Sequence, residues 1–269
     1  MLEVKELTDD LVPLVDGFLR NDDPFVNAYA LWDLHRLRNR TKFFLCMDER
    51  ELKGLLLSYF SPGDVIRGTP PHHVIWLWGE ENAVKELLDI PLPDKIVFWV
   101  FPEFVGIIKR KFSISSEYQL DFMLLRKGEE SLYIRHEIRR LKPSDAYSLA
   151  SLRKEKPSER EIEIAKIILE SQIFYGIFSN SILASVANVS VMLPHIWIIG
   201  SFYTRPEYRN KGFATSLTSF LVKEGLKNVD HLGLYVRTDN YPAKHVYEKV
   251  GFKPYKRMYC LNYNIEFEP

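Results

Sequence analysis

The 269-residue sequence predicts an α/β (α+β) protein built from two related halves. Three observations lead there. Read by apolar periodicity, the second half runs strand, two helices, three strands, helix, strand, helix, strand. The first half echoes part of that order. A content of 46% hydrophobic and 13% aromatic residues can bury the cores that two such layers need.

In the first half, the opening "VKELTDD" resembles "IRRLKPSD" further on, with Val4 over Ile138 and Leu7 over Leu141. The stretch "FFLCMDERELKGLLLSY" (43–59) reads as a hairpin and echoes "FYGIFSNSILASVANVS" (174–190). "VIWLW" (74–78), a helix over 80–89 and "KIVFWV" (95–100) supply strand, helix and strand. "IIKRKF" (107–112) reads as a helix end facing water, because cations suit a helix C-terminus. Trp76, Trp78, Phe98, Trp99 and Phe101 read as core packing; exposed, they would line a pocket. His72 and His73 follow Pro70-Pro71 without metal-ligand partners at readable spacing, so they read as a solvated turn.

In the second half, 136–143 alternates like a strand and stops at Pro143. Helices are expected over 144–154 and 158–171, the latter opened by a Ser158/Glu161 capping box. Strands over 173–178 and 182–191 flank the turn Ser179-Asn180-Ser181, and a third, 196–204, follows Pro194. Phe213, Leu217, Phe220 and Leu221 then fall on one face of a helix. A strand over 232–236, a helix over 242–250 with Pro242 in its first turn and Gly251 behind it, and a strand over 255–263 complete the order. The repeat divides the chain into 1–130 and 131–269.

Lys plus Arg and Asp plus Glu balance at 36 each, so no overall positive field favours nucleic acid or an anionic membrane. Cys46 and Cys260 are too few for a disulfide framework and have no metal-ligand spacing; each reads as a small buried hydrophobe. The N-terminal "MLEVKELTDDLVPLVDGFL" carries acidic residues where a signal peptide carries basic ones, and no apolar run reaches membrane-span length. A cytoplasmic location is the expectation.

Chemistry concentrates at "RNKGFATSL" (209–217), an arginine and a glycine ahead of an amphipathic helix. A helix N-terminus exposes N–H groups without intrahelical acceptors and carries partial positive charge, so it can hold an anion without side chains. A diphosphate suits it. Gly212 admits close approach, small Ala214 lets the first turn pack, and Arg209 and Lys211 add charge at the rim. The same residues are also compatible with a plain basic loop before a helix.

"YTRPEYRNKGFATSL", preceded by a strand and followed by "LGLYVRTDNYPAKHVYEKVGF", resembles the GNAT superfamily of N-acetyltransferases, whose signature is Arg/Gln-x-x-Gly-x-Gly/Ala after the fourth strand. The wording is closest to the glycine N-acyltransferase-like branch, which has an extra N-terminal half. The resemblance spans about residues 136–263. It implies two GNAT-like halves, each a mixed, mostly antiparallel sheet flanked by helices: a degenerate 1–130 and a catalytic 131–269. It implies acetyl-CoA as co-substrate. Its diphosphate would lie on Arg209, Asn210, Lys211, Gly212, Phe213, Ala214 and Thr215, and its pantetheine arm along Phe202, Tyr203 and Thr204.

The resemblance further implies that Tyr247, in "HVYEKVGF", protonates the departing thiolate. Asn240 in "DNYP" can touch the CoA arm, and equally reads as an N-cap. Many family members carry a carboxylate base on the fourth strand. "IWIIGSFYT" has none, and neither Glu207 nor His195 is assigned that role. The expected activity is acetyl transfer to a small-molecule amine or amino acid, with no nucleic-acid, membrane or metal partner. The alternatives are acetylation of a protein N-terminus or lysine, and an acyl-CoA-binding sensor without turnover.

Overall fold

The computed structural model describes residues 1–63, 66 and 68–265. The chain forms two compact units. The first holds β1 (Leu2–Glu6), α1 (Val12–Asp22), α2 (Ala28–Arg36), β2 (Thr41–Asp48), β3 (Glu51–Ser61), β4 (His72–Gly79), α3 (Glu81–Leu88), β5 (Ile96–Val100), α4 (Pro102–Lys111) and the first part of β6 (Ser116–Arg126). The second holds the rest of β6, then β7 (Arg139–Arg140), α5 (Ala146–Ala150), α6 (Glu159–Ser171), β8 (Ile173–Ser179), β9 (Ile182–Leu193) and β10 (Ile196–Thr204). It continues with α7 (Phe213–Gly225), β11 (His231–Arg237), α8 (Tyr241–Val250) and the start of β12 (Lys253–Tyr263).

Strands of the first unit lie in the order β1-β2-β3-β4-β5-β12, so the end of the chain completes the first unit's sheet. Those of the second lie in the order β6-β11-β10-β9-β8-β7. In each, the pairings of recorded register are antiparallel except one, β4 with β5 and β10 with β11. Each parallel pair is bridged by a helix, as a parallel crossover requires.

Two apolar clusters cover the second unit's sheet. Leu217, Leu221 and Val222 of α7 and Val250 of α8 pack with Ala187, Val189, Ile199, Leu232 and Leu234. Leu149, Ala165 and Leu169 of α5 and α6 pack with Phe174, Leu183 and Val186. The Ser158/Glu161 capping box forms as expected, with Glu161 accepting the Ser158 N–H at 2.7 Å. Gly251 ends α8 at φ +116°, and a Cβ there would stand 2.4 Å from the Glu129 carbonyl oxygen, so both conformation and space demand glycine.

The structure corrects the sequence reading in places. The strand expected over 136–143 shrinks to the two-residue ladder β7. The helix expected over 144–154 is a 3-10 turn plus the five-residue α5. Its end is closed by Arg205, whose Nη2 donates to the Ser151 carbonyl at 2.7 Å, and by the Ser151 hydroxyl turning back to Tyr147 O. His72 and His73 lie in β4 rather than in a solvated turn. His72 is buried against the Pro70 carbonyl, and His73 shares a 3.1 Å hydrogen bond with the Ser58 hydroxyl. Trp76, Trp78, Phe98 and Phe101 are core, as are Cys46 and Cys260. Among the described residues, no helix is long and apolar enough to cross a membrane, and no group of side chains could hold a metal ion.

Candidate active site

Strands β10 and β11 pair at Trp197↔Leu232 and Ile198↔Gly233. Beyond those pairs β10 loses its regular register with β9, where Gly200 faces Asn188 but Tyr203 already faces Val186. The extra residue is a bulge, with Ser201 in the left-handed region at φ +50°. A bulge leaves backbone groups outside the ladder and re-aims the side chains around it. Phe202 is aimed at Tyr247 of α8, with ring centroids 5.3 Å apart. Tyr203 and Thr204 are held by Ser185, whose hydroxyl donates to the Tyr203 carbonyl at 3.1 Å and shares a 2.7 Å bond with the Thr204 hydroxyl.

Past Thr204 the chain makes a 3-10 turn, Pro206–Tyr208, and reaches α7 through Arg209, Asn210, Lys211 and Gly212. Asn210 and Gly212 are both left-handed, at φ +61° and +80°. No side chain caps α7. Its first backbone bond runs from Ser216 N–H to Gly212 C=O, so the helix offers no acceptor to the N–H groups of Phe213, Ala214 and Thr215. Left-handed residues at a helix start gather such N–H groups into an anion-binding concavity. Arg209 is exposed, its Nε 3.4 Å from Thr204 O, and the Lys211 ammonium lies 4.9 Å from the Tyr208 ring centroid. The cations stand at the rim, and the cradle itself is backbone.

Tyr247 is 6% exposed and is flanked by Phe202 and, edge-on, by Phe252 at 6.3 Å. Asn240 caps α8: its Oδ1 accepts the Ala243 N–H at 3.2 Å. Seven residues separate Asn240 from Tyr247, about 10 Å along a helix axis, so the two do not act at one atom. The Arg237 guanidinium bonds Asp239 and holds its carboxyl below the usual carboxylate range. Glu207 is exposed and 3.7 Å from Arg205. Neither carboxylate is poised to take a proton from an ammonium.

The sequence reading missed His136, placing it in a strand. It sits in the segment between β6 and β7, and its Nε2–H donates to the Lys211 carbonyl at 2.9 Å. The partners lie 75 residues apart, and no local pattern marks them.

An uncapped helix start, a glycine without Cβ and two rim cations are a donor set that suits the diphosphate of CoA. The FR47-like protein family model matches residues 174–261, which contain this entire arrangement apart from His136. Among curated proteins, none matches the sequence. Solved structures of similar fold include a Drosophila protein (TM-score 0.74, 13% identity, 97% of this chain and 98% of that one). Another is a tandem GNAT protein from the clavulanic acid biosynthesis pathway, solved without acetyl-CoA (TM-score 0.67, 14% identity, 97% and 98%). A GCN5-related N-acetyltransferase from Sphaerobacter thermophilus is similar over 99% of this chain and 96% of that one (TM-score 0.62, 9% identity). These likenesses are of fold. The chain shares its fold with the tandem GNAT protein over nearly its whole length, and the FR47-like family model falls on the part that carries the 209–214 turn and Tyr247.

Proposed function

We propose that the protein is an acetyl-CoA-dependent N-acetyltransferase acting on the amine of a small molecule or amino acid, with 131–269 as the catalytic portion and 1–130 as a degenerate partner. The observation that carries this reading is the uncapped start of α7 behind the left-handed Gly212, at the end of the connection from a strand that parts from its parallel neighbour. Phe213, Ala214 and Thr215 N–H groups bind the diphosphate, and Arg209, Asn210 and Lys211 border it. Phe202, Tyr203 and Thr204 run beside the pantetheine arm. When bound, acetyl-CoA supplies an activated acetyl group to an attacking amine.

Tyr247 gives its phenolic proton to the sulfur as the C–S bond breaks, and the proton lost by the attacking amine returns through water to the phenolate. Its burial against Phe202 holds the ring in place and keeps water from it. Backbone N–H groups of the β10 bulge are suited to stabilise the oxyanion. Asn240 acts at the start of α8 as a cap and borders the arm.

One observation favours a second reading, an acyl-CoA sensor without turnover: β10 carries no carboxylate to deprotonate an ammonium. Thiol release from acetyl-CoA, measured with a panel of amines and amino acids, tests both. Amine-dependent release supports the enzyme. Tight CoA binding with no release from any amine, including peptide N-termini and lysines, supports the sensor.

A further inference from the structure

The segment between β6 and β7 is fastened along the start of α7, antiparallel to it. Ser219 Oγ accepts the Tyr133 N–H at 2.9 Å, and Ser216 Oγ accepts the Arg135 N–H at 3.1 Å while donating to Tyr133 O at 3.2 Å. Both serines are essentially inaccessible, so these bonds satisfy hydroxyls that a helix would otherwise bury unpaired. The next contact up the segment is His136, which reaches the turn itself. Its ring stands edge-on to Phe213, centroids 4.5 Å apart, and its Nε2 donates to Lys211 O. A carbonyl only accepts, so Nε2 carries the proton.

In a planar trans peptide the C=O and the following N–H point in opposite directions. Holding the Lys211 carbonyl on the His136 side therefore turns the Gly212 N–H away from His136. Gly212 has wide conformational freedom, and nothing in its own chemistry selects that orientation. We infer that His136 is a positioning residue for the diphosphate turn: its Nε2–H orients the Lys211–Gly212 peptide so that the turn meets the two phosphates already formed. This inference rests on the reading of 209–215 as the CoA diphosphate site.

The test measures binding by calorimetry with two probes, CoA and acetyl-pantetheine, which lacks the diphosphate. The variants are His136→Phe, which keeps a ring against Phe213 but has no donor, and His136→Gln, whose amide nitrogen restores one. Losing one net hydrogen bond corresponds to about a fivefold to tenfold change in binding. The expected result is that His136→Phe weakens CoA by about that factor and leaves acetyl-pantetheine unchanged, while His136→Gln returns CoA affinity to within about twofold of the parent. Parent-like CoA affinity in His136→Phe, equal loss on both probes, or no rescue by Gln would overturn the positioning role while CoA binding by the parent stands. If the parent binds acetyl-pantetheine as tightly as CoA, or binds neither, the diphosphate assignment falls and the role of His136 falls with it.

Discussion

The β4–α3 connection of the first unit and the β10–α7 connection of the second occupy the same place in the order of elements, and they do opposite things. β4 runs into α3 with only Glu80 between them. Glu80 and Glu81 set carboxylates at that helix start, and Lys53 lies 3.1 Å from Glu80 and 2.8 Å from Glu51. Those carboxylates complement the helix dipole and repel any further anion. α7 starts instead after residues 205–212, with two left-handed residues, three cations and no acidic residue in its first turn; neither helix start is capped by a side chain. The strands differ as well. β4 and β5 stay paired through Trp76↔Trp99, whose rings lie 5.2 Å apart, whereas among the described residues β10 and β11 pair at Trp197 and Ile198 alone. The lesson is that fold order does not carry binding. The two connections differ instead in the turn that ends the strand and in how far the parallel strands stay paired.

The largest expected effect sharpens a second contrast, in what the helices bury. Asp33 of α2 is buried, and burial raises its carboxyl to about 8; the buried residues of α6 are Ala165 and Leu169. A carboxyl raised in the folded state stabilises below its unfolded value near 4, and that stability is lost as pH climbs from there through about 8. Asp33→Asn should remove this slope and raise stability at pH 8 by on the order of 5 kcal/mol. Urea titrations at pH 5 and pH 8 check it, and equal slopes in parent and variant would break the contrast.

Next is the turn. Gly212→Glu adds bulk, strains a left-handed residue and brings a like charge to the diphosphate, so CoA affinity should fall about a hundredfold or more. Glu80→Gln with Glu81→Gln, by comparison, should not create a second site. A stoichiometry of one CoA per chain is expected for parent and double variant alike. Two equivalent sites would end the distinction between the halves.

Tyr247→Phe keeps the ring against Phe202 and removes the proton. Turnover should drop about 10²-fold with acetyl-CoA affinity nearly unchanged. Turnover within about twofold of the parent, where chemistry limits the rate, would count against the phenol as the acid. The smallest effect belongs to Asn240→Ala, which removes the α8 cap and should cost about 1 kcal/mol of stability. A fall in CoA affinity beyond that seen with Asn240→Ser, which still caps, would give Asn240 a direct part in binding.

Most elements were legible because their signals are local. The hairpin over 43–59, the capping box at Ser158, the apolar face of α7 and the glycine behind α8 each need only neighbours a few residues away. What failed was decided at a distance. α5 ends early because Arg205, 54 residues on, takes the Ser151 carbonyl. No local pattern assigned an element to 113–135, yet β6 forms in it where distant strands offer a ladder. His72 and His73 became strand residues because β3 lies alongside them.

For the site the division is similar. The residues of the 209–215 turn are consecutive, so the sequence by itself determined a glycine ahead of an amphipathic helix flanked by cations. Tertiary structure alone decided that β10 parts from β11, that Tyr247 is buried against Phe202, and that His136 grips the Lys211 carbonyl. Each depends on chain segments brought together by the burial of apolar surface, which is non-directional and leaves no motif at the residues it joins.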